Sequence, residues 1–192
     1  MLRLDTTFNI CLASPIGANT DLATGRGSTF LPYLGDLLLE NTSHDGILFV
    51  NIAVGGSTVN EWNTIYRRRI NYAKDFINKI NSKYTHILWH QGESANFLHL
   101  STKQYKDSFV DLQSYLLTVN ISAPIYMARA SYAHSVIDDN VINAQNELIQ
   151  EFENIYAGAN TDILGITYRD DDIHLNKYGL EEHAKLWLSY LK

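Results

Sequence analysis

The chain has 192 residues, of which 45% are hydrophobic, and this is enough to bury a substantial core in one domain. Its formal net charge of −6 argues against binding to nucleic acid or to anionic membrane surfaces, which select basic patches. Its single cysteine, Cys11, excludes an internal disulfide and is most simply a buried thiol. We therefore expect one domain over residues 1–192, without a nucleic-acid or membrane partner.

The sequence shows no targeting signal. No run reaches the ~18 apolar residues that span a bilayer, and the residues after Met1 lack the apolar stretch of a signal peptide. If Met1 is the native start, we expect a cytosolic protein. If the chain is a fragment, its location is unknown. The oligomeric state is not predicted.

Strand-like and helical patterns alternate along the chain. Short apolar runs bounded by turn residues predict strands at residues 8–13, 47–54, 85–90, 124–128 and 162–167. Helical spacing of apolar residues predicts helices at residues 28–40, 61–81, 101–119, 138–156 and 176–191. This alternation predicts an α/β fold, a three-layer α/β/α sandwich around a five-stranded parallel sheet.

The run Ile-Leu-Trp-His-Gln-Gly-Glu-Ser over residues 87–94 is an apolar strand that breaks into a polar turn. Gly92 permits a tight bend, and the polar side chains around it have no core to fill. The carboxyl end of a strand in an open α/β sheet is where ligands sit. Gln91 and Glu93 are therefore candidate site residues, although a solvated turn would show the same pattern.

A second polar block, Asp-Asp-Ile-His-Leu-Asn, occupies residues 171–176 and precedes the last predicted helix. Asp171 lies three residues before His174, a spacing that lets the carboxylate hold the imidazole in one tautomer. The other ring nitrogen then faces a reactant, which is the arrangement of a general base. The single Cys11 and the scattered histidines show no spacing typical of a metal site.

A third block, Asn-Ile-Ala-Val-Gly-Gly-Ser-Thr over residues 51–58, is a predicted strand that runs into two glycines. Glycine after a strand lets backbone N–H groups approach a ligand closely, as an oxyanion hole requires. Gly56 is therefore a candidate oxyanion donor. A plain turn and a phosphate cradle are alternatives for paired glycines, but neither common phosphate-binding glycine motif is present.

The three blocks, in this order and with Trp62 after the first, resemble the motif blocks of the SGNH hydrolase superfamily. The closest similarity is to its sialate O-acetylesterase-like carbohydrate esterases. The resemblance implies a flavodoxin-like fold and a serine esterase of acetylated carbohydrate that needs no metal or cofactor. By position it assigns Asp171 and His174 to a catalytic triad, and Gly56 and Gln91 to the oxyanion hole.

The nucleophile block of the family, a serine in a GDS or GQSN motif after the first strand, is absent from this sequence. The nearest counterpart is Ser14, which follows the predicted strand at residues 8–13. An opposing alignment places residues 13–15, with Gly25 and Gly27, downstream of the nucleophile block of larger relatives. Ser14 is thus the candidate nucleophile, and a nucleophile that is lost or lies on a missing segment is the alternative.

Three further side chains are candidates for substrate contacts. Glu93 would shape the site or touch substrate, Trp62 could stack on a sugar ring, and Arg129 could bind a carboxylated sugar at the sheet edge that carries Gln91. The resemblance thus implies removal of acetyl groups from sugars or polysaccharide. A carbohydrate-binding domain of the same fold without a nucleophile, and an acetyltransferase with the same triad, stay open.

Overall fold

The structure is a computed structural model, and it describes residues 29–191. Its sheet has three parallel strands in the spatial order β1 (Ile87–Trp89), β2 (Ile125–Arg129) and β3 (Ile155–Asn160). The register aligns the first residues of the three strands with one another. Their carboxyl ends therefore meet at one edge of the sheet, where ligands bind in open α/β folds.

Helices connect and flank these strands. They are α1 (Leu31–Asn41), α2 (Arg67–Lys79), α3 (Glu93–Phe97), α4 (Thr102–Thr118), α5 (Asp139–Glu151) and α6 (Lys177–Leu188). Ser101, Asp138 and Asn176 cap α4, α5 and α6, because each side-chain oxygen accepts a hydrogen bond from a backbone N–H of the first turn. Such caps satisfy donors that lack a partner within the helix. Within residues 29–191, no helix has the length and apolar character to cross a membrane.

Helices cover both faces of the sheet. Ile125 and Met127 of β2 belong to one core cluster, in which they pack with residues of α4 and α5 such as Phe109. Ala128, the next residue along β2, belongs to a second cluster with Trp187 of α6, whose side chain is 0% exposed. A parallel sheet needs this cover because both of its faces are apolar. The described part of the chain is therefore an α/β fold with helices on either side of a parallel sheet.

The prediction of a strand at residues 162–167 is wrong. Two 3-10 helices, Thr161–Ile163 and Ile166–Tyr168, cover this segment, and β3 lies earlier, partly within the predicted helix at residues 138–156. Ile163 and Ile166, whose apolar side chains suggested a buried strand, are exposed. In β3 a glycine faces the core instead, because a Cβ on Gly158 would lie 2.5 Å from the Trp187 ring. Because α6 packs so close to β3, the strand has a glycine at this core-facing position, and the apolar pattern of the sequence does not indicate a strand there.

Two other predicted strands do not appear in the described sheet. Residues 47–54 form no strand, and Asn51 Oδ1 accepts a hydrogen bond of 3.0 Å from Ala53 N there, a local turn that competes with strand pairing. The predicted strand at residues 8–13, together with Cys11, lies outside the described residues. The described sheet therefore has three strands rather than five.

Candidate active site

Loops from the carboxyl edge of the sheet meet at one cleft. Gln91 follows β1, Tyr132 follows β2, and His174 lies on the loop between β3 and α6. Six of the residues predicted for the site line this cleft, and they are Gly56, Trp62, Gln91, Glu93, Asp171 and His174. The parallel sheet brings them together because its strands all end at this edge.

Asp171 and His174 form a hydrogen-bonded pair. Nδ1 of His174 lies 2.8 Å from Asp171 Oδ2, and the backbone N–H of His174 donates to Asp171 Oδ1 at 2.8 Å. The backbone hydrogen bond and the imidazole together lower the pKa of Asp171 to about 2. An ionised carboxylate at Nδ1 selects the tautomer that carries its proton there, which leaves Nε2 as a proton acceptor. Within the described part of the chain, Nε2 makes no hydrogen bond.

The loop that carries this pair is closed by its own backbone. Asp170 N donates to His174 O at 2.9 Å, and Asn176 N donates to Tyr168 O at 2.9 Å. Gly179, in the first turn of α6, packs against the same loop, because a Cβ there would lie 2.3 Å from Tyr168 O. The glycine that follows the histidine block therefore lets α6 begin close behind His174.

Asp172 ties this loop to the loop after β2. Its backbone adopts a left-handed φ of 63°, which is uncommon outside glycine. Its Oδ1 accepts hydrogen bonds from Tyr132 Oη at 3.0 Å and from Ser135 Oγ at 2.8 Å. These contacts hold the turn next to Asp171 against the loop that follows β2.

Gln91 and the glycine block are in direct contact. The Gln91 side chain is buried, and its Nε2 donates to Ser57 O at 3.1 Å. Gly56 has a φ of +73°, a conformation that glycine adopts readily. Ser57 Oγ donates to Val54 O at 2.8 Å and accepts a hydrogen bond from Trp62 Nε1 at 3.1 Å. The hydroxyl of Ser57 is thus part of the turn.

A buried polar network holds the backbone of Gln91. Its carbonyl oxygen accepts hydrogen bonds from Tyr105 Oη at 2.8 Å and from Gln145 Nε2 at 3.0 Å. Gln145 Oε1 in turn accepts from Ala130 N at 3.0 Å, so that α5 joins the ends of β1 and β2. Sequence reasoning missed Tyr105 and Gln145. Both lie on amphipathic helices, where a tyrosine resembles an ordinary core residue and a glutamine an ordinary surface residue.

Glu93 contacts His90 rather than the His174 pair. Its Oε1 lies 3.0 Å from His90 Nε2, and its Oε2 accepts from Gly92 N at 3.1 Å. Burial alone would raise the pKa of Glu93, but the interaction with His90 and these hydrogen bonds lower it to about 2. The His90 ring lies 4.9 Å from the ring of His183. His183 is a packed core residue, and burial lowers its pKa well below the usual value.

Asp162 and Arg169 are cleft residues that the sequence analysis did not single out. The buried Asp162 carboxylate accepts hydrogen bonds from Ser131 N at 2.7 Å, Ser131 Oγ at 2.7 Å and Tyr132 N at 2.9 Å. Arg169 donates from Nε to Leu164 O at 3.0 Å, and its guanidinium lies 4.0 Å from the centre of the Tyr132 ring. Both side chains fix the loops that carry the candidate site.

A family model described as carbohydrate esterase, sialic acid-specific acetylesterase, matches residues 11–188. The chain belongs to this carbohydrate esterase family. The match includes the glycine block, the His-Gln-Gly-Glu turn and the Asp171–His174 loop. The chain is therefore related to SGNH-type esterases, as the sequence motifs predicted.

Several solved structures share this fold, and some of them are esterases. A protein from Arabidopsis thaliana is 19% identical over 99% of this chain and 79% of its own, with a TM-score of 0.71. A carbohydrate esterase family 3 protein from Talaromyces cellulolyticus is 13% identical over 89% of this chain and 91% of its own, with a TM-score of 0.60. A catalytic mutant of an acetylxylan esterase from Geobacillus stearothermophilus is 13% identical over 85% of this chain and 80% of its own, with a TM-score of 0.58. A comparison with curated proteins gives no match.

Two residues predicted to bind substrate, Trp62 and Arg129, make contacts within the protein. Trp62 is only 6% exposed and packs against Tyr66 and Trp89 in the core, so its ring is not available as an open platform for a sugar. Arg129 ends β2 at the expected edge, but its side chain donates to Tyr190 Oη at 3.0 Å and is not among the residues that line the cleft. Sugar stacking on Trp62 and carboxylate binding by Arg129 therefore stay predictions.

The candidate nucleophile of this esterase, Ser14, lies outside the described residues. Within residues 29–191, no serine or threonine hydroxyl forms a hydrogen bond with His174. The same part of the chain contains no group of three His, Cys, Asp or Glu side chains placed to hold a metal ion. The described site thus contains an oriented imidazole and a buried side-chain amide in one cleft.

Proposed function

We propose that the chain is a serine-dependent O-acetylesterase that removes acetyl groups from sugars or polysaccharide. The observation that carries this proposal is the His174 imidazole, bonded at Nδ1 to Asp171, in the same cleft as the buried Gln91 amide. A base beside amide donors is the arrangement that acyl transfer needs.

In the proposed reaction the serine hydroxyl attacks the acetyl carbon while His174 Nε2 takes the hydroxyl proton. The C–O bond to the sugar then breaks, and the sugar oxygen receives that proton, which leaves an acetyl-serine. Water then gives a proton to the same imidazole and attacks the acetyl carbon. The C–O bond to the serine breaks, the serine oxygen receives that proton, and the acetic acid that leaves ionises to acetate. Asp171 stays ionised throughout and orients the ring, since its pKa is about 2.

Gly56 N–H and the Gln91 amide are the proposed oxyanion donors. The amide nitrogen carries two hydrogens, and one of them is directed to Ser57 O. This bond fixes the amide plane and leaves the second N–H to meet charge that develops on the acetyl oxygen. A donor held in place before the reaction stabilises the transition state without reorganising.

Ser14 is the proposed nucleophile. Support comes from β1, whose edge opposite β2 has no partner among the described strands, and from the apolar side chains of Ile52 and Val54 that line the cleft with Trp89. An apolar strand at residues 8–13 would suit this edge. Ser14 would then follow the strand at the edge where Gln91 lies.

A carbohydrate-binding domain without a nucleophile is the second candidate. The observation that favours it is that the described residues provide no hydroxyl at His174. Such a domain would keep the cleft and bind acetylated sugar without hydrolysing it. An acetyltransferase would differ only in the acceptor, a sugar hydroxyl in place of water.

The test measures acetate release from an aryl acetate and from acetylated sugars. We expect His174→Ala to lower the rate by several powers of ten, whereas His44→Ala, at an exposed histidine, leaves it unchanged. Circular dichroism and urea unfolding check that both variants fold. Unchanged turnover in folded His174→Ala would refute the role of the base.

A fluorophosphonate probe followed by peptide mass spectrometry identifies the nucleophile. Labelling of Ser14 that disappears in Ser14→Ala, together with loss of acetate release, is the expected result. Binding of acetylated sugar by an unlabelled and inactive chain would instead establish the binding domain. Acetylated product formed from an added sugar acceptor would indicate a transferase.

A further inference from the structure

The Asp171–His174 pair lies on an exposed loop. The side chains of Asp171 and His174 are 38% and 58% exposed, so burial contributes little to holding them in place. General-base catalysis nevertheless requires a precise position, because a displacement of ~1 Å can cost ~100-fold in rate. Contacts with the rest of the protein are therefore needed to fix the loop.

Both residues between the paired aspartate and histidine, Asp172 and Ile173, are hydrogen-bonded to side chains. The carboxylate of Asp172 accepts from Tyr132 Oη at 3.0 Å and from Ser135 Oγ at 2.8 Å. The carbonyl oxygen of Ile173 accepts from Arg169 Nη1. The guanidinium of Arg169 lies 4.0 Å from the centre of the Tyr132 ring. Tyr132 is thus in contact with both groups that hold the segment before the imidazole.

Tyr132 is itself held by the segments that follow the other two strands. It is 6% exposed, and its backbone N–H donates to Asp162 Oδ1 at 2.9 Å. The preceding residue, Ser131, donates from its backbone N–H to the same carboxylate at 2.7 Å, and its carbonyl oxygen accepts from Asn96 Nδ2 at 2.8 Å. The phenol therefore extends from a fixed backbone to Asp172.

Left-handed backbone conformations meet at this contact. Asp172 has a φ of 63°, and its hydrogen-bond partner Ser135 has a φ of 62°, next to His134 with a φ of 50°. Residues with a side chain adopt this conformation rarely, and they keep it where surrounding contacts enforce it, often at active sites. The hydrogen bonds to the Asp172 carboxylate are such contacts.

We propose that Tyr132 is a positioning residue for His174. Its hydroxyl acts through the Asp172 carboxylate and holds the loop in the conformation in which His174 Nε2 faces the reactant. Tyr132 would thus contribute to turnover without touching the substrate. The proposal rests on the esterase function proposed above and adds to it a residue outside the triad and the oxyanion hole.

The kinetic test removes the contact from either side. Tyr132→Phe keeps the ring beside Arg169 and should lower kcat by about tenfold with KM unchanged, since Ser135 still donates to Asp172. Asp172→Gly keeps the left-handed backbone but removes the acceptor, and it should lower kcat by ~100-fold. Asp172→Asn retains an acceptor oxygen and should keep kcat within about threefold of the native value. The control is Asn120→Gly, at an exposed residue with a φ of 61° after α4, which should not change kcat.

A double variant separates positioning from direct contact with the reactants. If the hydroxyl acts only through Asp172, adding Tyr132→Phe to Asp172→Gly should cause no further loss of kcat. Losses that multiply would overturn the proposal, because they would mean that the hydroxyl acts directly on the reactants. Native kcat in folded Asp172→Gly would overturn it as well. Circular dichroism and urea unfolding check folding, and if Asp172→Gly does not fold, the effect of Tyr132→Phe on kcat decides.

Nuclear magnetic resonance keeps a second test independent of catalysis. The nitrogen chemical shifts of the His174 ring, assigned by comparison with His174→Ala, report its tautomer in alkaline solution. We expect the Nδ1–H tautomer in the native chain and a mixture of both tautomers in Tyr132→Phe and Asp172→Gly. Unchanged shifts in both variants would overturn the positioning role. If the native chain released no acetate but the shifts changed as expected, the esterase function would be refuted and the positioning of the ring would be supported.

Discussion

Gln91 Nε2 donates a 3.1 Å hydrogen bond to the carbonyl oxygen of Ser57, 34 residues earlier in the chain. This single contact joins the turn after β1 to the glycine block. Gly56 and Gln91, the two proposed oxyanion donors, are consequently parts of one assembly rather than of two independent loops. The geometry of the oxyanion site should therefore depend on side chains that hold either half of it.

Removal of the Gln91 amide should impair catalytic turnover far more than it impairs substrate binding. We expect Gln91→Ala to lower kcat by ~100-fold with little change in KM, since a donor directed at developing charge acts in the transition state. Steady-state kinetics on an acetylated sugar measure both constants. Gln150→Ala, at an exposed position of α5, is the control. A raised KM with an unchanged kcat would make Gln91 a substrate ligand instead.

Tyr105 should contribute to stability through its hydroxyl. The group donates to Gln91 O and accepts a hydrogen bond from Trp89 Nε1 at 3.2 Å, and burial raises its pKa to about 12. Tyr105→Phe leaves the indole N–H unpaired, so the free energy of unfolding should fall by ~1–3 kcal/mol. Urea denaturation measures this change, and Tyr178→Phe, at an exposed tyrosine, should have no effect. Equal stability of the two variants would show that the network is unimportant.

Gly92 should tolerate no side chain. A Cβ there would lie 1.6 Å from the carbonyl oxygen of Ala130, so the turn after β1 would have to move away from β2. We expect Gly92→Ala to lower the free energy of unfolding by about 3 kcal/mol or more. Gly46→Ala is the matched control, because nothing lies within 4 Å of its Cβ position. Native stability of Gly92→Ala in thermal melts would rule out this close approach.

The Glu93–His90 contact should make stability depend on pH. Because the pKa of Glu93 falls to about 2 from 4.5, its stabilisation is complete above 4.5 and is lost as the pH falls toward 2. Glu93→Gln should therefore cost about 1 kcal/mol at pH 7, a value reduced by partial exposure, and less than half as much at pH 3. Urea unfolding at both values tests this, with Glu181→Gln as the control. A cost that does not change with pH would contradict it.

The local pattern of apolar residues in the sequence was sufficient to predict much of the architecture. The predicted helices at residues 28–40, 101–119 and 176–191 and the strands at residues 85–90 and 124–128 are confirmed within a few residues. The period of the apolar residues shows which face of an element is buried, so it can be recognised in the sequence alone. The spacing of Asp171 and His174 likewise predicted that the carboxylate would hold the ring, because both residues lie on one turn.

Only the tertiary structure decided which atoms support the site. Tyr105 and Gln145 hold the Gln91 carbonyl from 14 and 54 residues away, and Arg129 turns to Tyr190 although its strand ends at the expected edge. The position of β3 was not predicted for the same reason, since Gly158 packs against the indole ring of Trp187 in α6. Buried hydrogen bonds and close contacts depend on how helices pack on the sheet, and partners so far apart in the chain leave no periodic signal in the sequence.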